Sequence, residues 1–88
     1  MTAKKGFIDD TINILKTIVD KMQETVGCLS VQLVEDVIHR EKFKIYEKWI
    51  SLEKQHEFVD FLRSEGLIEQ LRNTLSEGPF TEIYPTTK

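Results

Sequence analysis

Between Gly27 and Gly66 the chain contains neither glycine nor proline, so no residue in that stretch forces the backbone out of a regular conformation. The same stretch is rich in Glu, Lys, Leu, Ile and Gln, of which Glu, Lys, Leu and Gln lose little rotamer freedom in a helix. It predicts one long helix from Val31 to about Arg63, roughly 50 Å at 1.5 Å per residue. A small domain seldom holds such a rod unless it pairs with another chain or bends, and Ser51 is the place for a bend.

The residues before Gly27 point the same way. Ile8, Ile12, Leu15, Val19, Met22 and Val26 recur at steps of four and three, which keeps one stripe on one helix face. Ile14 and Ile18 widen that stripe, and Asp9 with Asp10 oppose the positive end of the helix dipole. Gly27 suits the left-handed residue after a helix end, with Ser30 as the next N-cap. Continuity is the competing reading, because Leu29 and Leu33 carry the rhythm past Gly27. Beyond Gly66, the residues Leu67, Ile68, Leu71 and Leu75 define a short last helix that Gly78-Pro79 ends.

The expected architecture is therefore all-α: a helical hairpin or small three-to-four-helix bundle with one long central helix, completed by self-association. Residues 1–78 are expected to form a single helical domain, with helices at about 7–26, 31–63 and 67–76 and an extended or disordered tail over 79–88.

Charge and cysteine content narrow the function classes. Twelve Lys and Arg against 15 Asp and Glu leave a net charge of -3, with the two signs interleaved, which argues for an acidic protein and against a nucleic-acid partner. No apolar run is long enough for a membrane span. Lys4 and Lys5 are followed by Asp9 and Asp10 rather than an apolar core, so the first residues do not read as a signal peptide. A lone Cys28 forms no internal disulfide and fits a reducing compartment, hence a cytoplasmic location.

Within the expected long helix the rhythm runs Val31, Val34, Ile38, Glu41, Ile45, Trp49, Leu52, His56, Val59 and Leu62, a coiled-coil-like seam in which Glu41 and His56 sit at edges or fix register. A second apolar set, Phe43, Tyr46 and Ile50, then Phe58 and Phe61, lies beside it, and one partner helix cannot cover both. That surplus predicts a protein-binding module, an adaptor, regulator or assembly subunit. Phe43, Tyr46, Trp49 and Ile50 carry the contact energy, and Phe80 and Tyr84 are docking anchors in the tail. The partner is another protein or a second copy of the chain. Ser30, Ser51, Ser64 and Ser76 lack an elbow motif, and no glycine-rich loop cradles phosphate, so neither an enzyme nor a cofactor is expected.

Two other readings remain open. Glu53-Lys54-Gln55-His56 puts a carboxylate and an imidazole on one helix face at i, i+3, the way di-iron bundles present ligands. Together with Phe61-Leu62-Arg63, Leu71-Arg72 and Gly78-Pro79, the stretch from Glu53 to Pro79 is similar to the second half of small encapsulated ferritins, over about a third of the chain. The resemblance implies a metal site shared across a dimer, with Glu53 and His56 as ligands. The chain departs from that pattern in its first helix, whose inward seam is apolar, with Glu24 and Glu35 beside their stripes. The other reading is a small acidic inhibitor that occupies a basic site on a partner enzyme, as some immunity-type proteins do.

Overall fold

The computed structural model describes residues 1–83. They form, in chain order, β1 (Thr2–Ala3), α1 (Ile8–Gln23), β2 (Cys28–Glu35), β3 (Phe43–Trp49), α2 (Leu52–Ser64), α3 (Leu67–Thr74) and β4 (Leu75–Glu77). This is an α+β fold, and the all-α expectation fails at the stretch on which it rested. Where one helix from 31 to 63 was expected, there is a β-hairpin followed by a shorter helix.

The hairpin forms because residues 28–49 also carry a two-residue period. Phe43, Ile45 and Trp49 alternate with Lys44, Tyr46 and Lys48, and across the ladder Leu33 pairs with Ile45 and Val31 with Glu47. β-Branched and aromatic side chains at alternate positions pack well on a pleated surface. The turn needs neither glycine nor proline because Asp36 builds it. Its Oδ1 accepts the backbone N–H groups of Ile38 and His39, both at 2.8 Å, and Lys42 N–H donates to the His39 carbonyl at 2.9 Å. Those backbone bonds hold the Asp36 carboxyl below its ordinary pKa, as expected for a turn-forming aspartate.

Two ribbons, β2–β3 and β1–β4, are both antiparallel. A bridge between Thr2 and Lys42 joins them, with Ala3 N–H donating to Glu41 O at 2.7 Å and Phe43 N–H to Met1 O at 2.9 Å. The strands thus lie in the order β4-β1-β3-β2, and the alternation of strands and helices is that of a ferredoxin-like fold. All three helices contribute to one core, made of Ala3, Leu15, Ile18, Met22, Phe43, Phe58, Leu62, Leu71 and Leu75. The partly buried residues that pack against it include Cys28, Val31, Leu33, Ile45 and Trp49. The alternate positions Ser30, Gln32, Val34, Lys44, Tyr46 and Lys48 share the other sheet face, outside that core.

Helix α1 buries Leu15 and Met22 of the stripe read from the sequence and Ile18 beside it, and adds Thr11, which that stripe left out. Thr11, Leu15, Ile18 and Met22 are buried, whereas Val26, the last stripe residue, is 84% exposed. Thr11 goes inward because its hydroxyl has partners there. Its Oγ1 lies 2.8 Å from both Phe7 O and Thr74 Oγ1, and the Thr74 hydroxyl donates to Leu71 O at 2.8 Å. Gly27 has φ +102°, and a Cβ there would meet Lys54 Cγ at 3.0 Å. Ser51 then caps α2 by accepting from Lys54 N–H at 3.2 Å, and Gly66, at φ 75°, admits the chain to α3.

The threonine pair gives a direct test of this packing. Thr11→Val and Thr74→Val should each destabilise the fold by about 1–2 kcal/mol, since each strands a buried hydroxyl or carbonyl. The double variant should cost less than the sum of the two, because the contact between the two hydroxyls is lost only once and neither hydroxyl is left facing a methyl. Equilibrium urea unfolding of all four proteins measures the coupling, and strict additivity would show that the hydroxyls act independently.

Candidate functional site

The inner sheet face ends in an aromatic row. Trp49, last residue of β3, is half-buried opposite Cys28. Its ring centroid is 5.5 Å from that of Phe58 on α2, and Phe58 lies 6.1 Å from Phe61 one turn later, both pairs tilted at 38°. The Lys21 ammonium of α1 stands 5.6 Å from the Phe61 ring centre, a cation–π contact that tethers the two helices near the surface. Phe58 and Phe61 also line a cavity of about 280 Å³, shared with Thr25, Val26, Lys54 and Glu57. The Lys54–Glu57 ion pair, 3.3 Å apart, lies at this cavity, which opens between the end of α1 and α2.

One carboxylate interrupts the apolar row of β3. Glu47 occupies the inward register between Ile45 and Trp49, opposite Val31, and its Oε1 accepts the Trp49 Nε1–H at 2.7 Å. The residue as a whole is exposed, yet partial desolvation of the carboxyl pushes its pKa up, and the hydrogen bond from Trp49 partly opposes this. Desolvation disfavours the charged form, whereas a donor to the carboxylate favours it. Cys28 responds to the same surroundings. Burial and then the Glu47 charge raise its pKa, which keeps it a thiol and a poor nucleophile.

The residues singled out from the sequence are dispersed. Phe43 is buried in the core at 2% exposure, Tyr46 faces away on the opposite side of the sheet, and Trp49 is half-buried with the core side. Ile50 is exposed just after β3, where its N–H donates to Gly27 O at 2.9 Å. Phe80 is exposed, residues 79–83 form neither helix nor strand, and Tyr84 with the rest of the expected tail lies outside the described residues. The common helical flank drawn through these aromatics does not exist, because strand alternation sends 43 and 46 to opposite faces. Glu53 and His56 are both exposed on α2. His56 lines a separate groove of about 440 Å³ with Gln55, Val59, Asp60, Arg63, Thr81 and Ile83, and among the described residues no cluster of three or more His, Cys, Asp or Glu is placed to hold a metal ion.

Sequence reasoning missed Glu47 and the pairing of Trp49 with Phe58. The signal was the alternation Phe43-Lys44-Ile45-Tyr46-Glu47-Lys48-Trp49, in which Glu47 falls on the apolar side of the two-residue period.

A ferredoxin-like sheet with helices packed on one face defines a class of small α+β domain. Residues 1–67 match the family model for antibiotic biosynthesis monooxygenases, a span of more than half of the 88 residues, and the chain belongs to that family. The solved structure of a conserved protein from Methanosarcina mazei Go1 is similar in fold, with a TM-score of 0.78 at 13% identity over 88% of this chain and 76% of that one. No curated protein matches the chain.

Family membership and fold correct several expectations together. The chain is not an all-α bundle with a coiled-coil-like seam, and the helical adaptor reading falls with it, as do the ferritin-like and inhibitor readings that shared its helical frame. A family described as monooxygenases points to enzyme activity, against the expectation of a non-enzyme. Domains of this family often form homodimers, which is compatible with self-association. No helix among the described residues is long and apolar enough to cross a membrane.

The raised pKa of Glu47 is testable through stability. Its native carboxyl binds a proton more tightly than the unfolded chain does, so its contribution to stability is fullest below the ordinary carboxylate pKa and is lost as pH rises through the raised one. Glu47→Gln cannot ionise, so its Tm should equal or exceed that of the parent near neutrality, and the gap should close toward acid pH. Calorimetry over a pH series checks this, and a deficit that grows toward neutrality would mean the carboxylate is stabilised in place.

Proposed function

We propose that the chain is a small-molecule-binding protein of monooxygenase type, whose ligand lies in the cleft between the end of α1 and the aromatic row of α2. The observation that carries this reading is the tilted row Trp49, Phe58 and Phe61 beside a cavity of about 280 Å³. Such a mostly apolar cavity with a few polar groups at its edge suits a small, flat, electron-rich ring. Membership of a monooxygenase family supports oxygen insertion as the reaction type. The single thiol of Cys28 suits a reducing compartment, and we place the protein in the cytoplasm.

We infer in addition that two copies pair through the open sheet face, where Gln32, Val34 and Tyr46 form a neutral centre between Lys44 and Lys48. Tyr46 is 56% exposed and large enough to anchor such a contact. Light scattering should give twice the 10.3 kDa chain mass, and Tyr46→Glu should lower it toward one chain. A Tyr46→Glu protein of unchanged dimeric mass would place the interface elsewhere.

Phe61→Ala tests the cleft without emptying the core, because Phe61 is 43% exposed whereas Phe58 is buried. The variant should weaken anisole binding by roughly threefold to tenfold, on the order of 1 kcal/mol for a lost aromatic contact, as read by NMR titration. Dioxygen uptake with a hydroquinone should fall in parallel. Unchanged affinity and uptake would move the ligand out of this cleft.

A further inference from the structure

Exposed aliphatic side chains gather at the two ends of the β2–β3 hairpin. Val37 and Ile38 stand at its turn, 89% and 81% exposed, and Leu29 and Ile50, both more than half exposed, stand at its open end. Backbone bonds order both ends. The Asp36 carboxylate accepts the N–H groups of Ile38 and His39, and Ile50 N–H donates to Gly27 O. Large apolar groups held out in water by a fixed backbone mark a contact surface. Tyr46 and its cross-strand partner Gln32 lie midway between the two ends. Ile50 follows Tyr46 by four residues along one strand, and Asp36 follows Gln32 by four along the other, so each end lies about 13 Å from the middle at 3.3 Å per residue. A two-fold axis that crosses the strands at this midpoint therefore lays the turn of one copy over the open end of the other. The hairpin is complementary to itself, as an isologous contact requires.

We propose that the second copy of the chain docks on the open sheet face tip to base, the partner's Val37 and Ile38 packing on Leu29 and Ile50, and the reverse contact forming at the other end. The inference rests on the reading that two copies pair through this face, and it adds their arrangement and its anchors. Charge favours tip to base over tip to tip. Arg40 at the turn, and Glu24 and Glu53 beside the open end, are exposed and have no ion-pair partner among the described residues. Tip to base brings these opposite charges together at both ends of the contact, whereas tip to tip sets Arg40 against its own copy. Lysine meets lysine in either arrangement, Lys44 opposite the partner's Lys48 in this one, and the long stems carry the ammonium groups out to water. That cost does not choose between the two.

Thiol crosslinking separates the arrangements, with each variant made in a Cys28→Ser background. Ile38→Cys and Ile50→Cys are mixed in equal amounts, allowed to exchange subunits, and treated with a short bismaleimide. Peptide mass mapping should find position 38 linked to position 50, and Ile38→Cys treated alone should remain unlinked. Independently, Ile38→Asp in the otherwise unaltered chain should keep its far-UV circular dichroism, because the side chain is exposed, and should raise the dimer Kd on the order of tenfold or more by light scattering on dilution. A link between two copies of position 38, a dimer without the 38 to 50 link, or an unchanged Kd in Ile38→Asp overturns the inference and leaves pairing through the open face standing. A parent chain of monomeric mass at every concentration overturns the pairing and the inference together.

Discussion

The antiparallel hairpin of β2 and β3 buries one of its faces beneath helices, and the remaining elements take their places from that contact. Cys28, Val31 and Leu33 on one strand and Phe43, Ile45 and Trp49 on the other face the core, while α1 supplies Leu15, Ile18 and Met22 and α2 supplies Phe58 and Leu62. A two-stranded ribbon is marginal in water by itself and needs such a cover. β1 contributes only two residues, yet it ties β3 to β4 through backbone bonds and brings the two ends of the described chain into one sheet. The buried Thr11–Thr74 hydroxyl pair fastens α1 to α3 across 63 residues of sequence.

The cleft is a by-product of the same packing. Trp49 lies at the end of β3, and Phe58 and Phe61 continue the apolar surface onto α2 at successive turns. Phe58 and Phe61 line a cavity there together with Thr25 and Val26, just after α1. Glu47 is then the one inward-register residue of β3 whose chemistry does not follow from the hydrophobic effect. Its environment raises the proton affinity of the carboxyl, and Cys28, whose thiol is raised by its own burial first, also feels the Glu47 charge.

The opposite sheet face has another character. Lys44 and Lys48 flank Tyr46 on β3 with Ser30, Gln32 and Val34 across the ladder. In a chain of net charge -3 this concentrates positive charge on one face and leaves much of the acidic surplus on the helices and loops. The interleaving seen along the sequence is thus sorted by strand alternation into faces of different sign, which linear charge patterning does not reveal.

How much was legible can be argued from particular residues. The stripe from Ile8 to Met22 is compatible with one periodicity only, so a helix there follows from the sequence. Ser51 and Gly66 act through their own backbone and near neighbours, and they are recognisable for the same reason. Between Gly27 and Ser51 the residues satisfy two periods at once. Val31, Val34, Ile38 and Ile45 keep a helical rhythm, while Leu33, Phe43, Ile45 and Trp49 keep a strand rhythm, and the turn is built by the Asp36 side chain rather than by glycine or proline. Helical hydrogen bonds close within four residues, so local sequence decides them. The bonds of a hairpin, and still more those joining residue 2 to residues 42 and 77, exist only when distant strands meet over a shared core. Tertiary structure alone therefore decided that this stretch is sheet, that Phe43 and Tyr46 part to opposite faces, and that Trp49 meets Phe58.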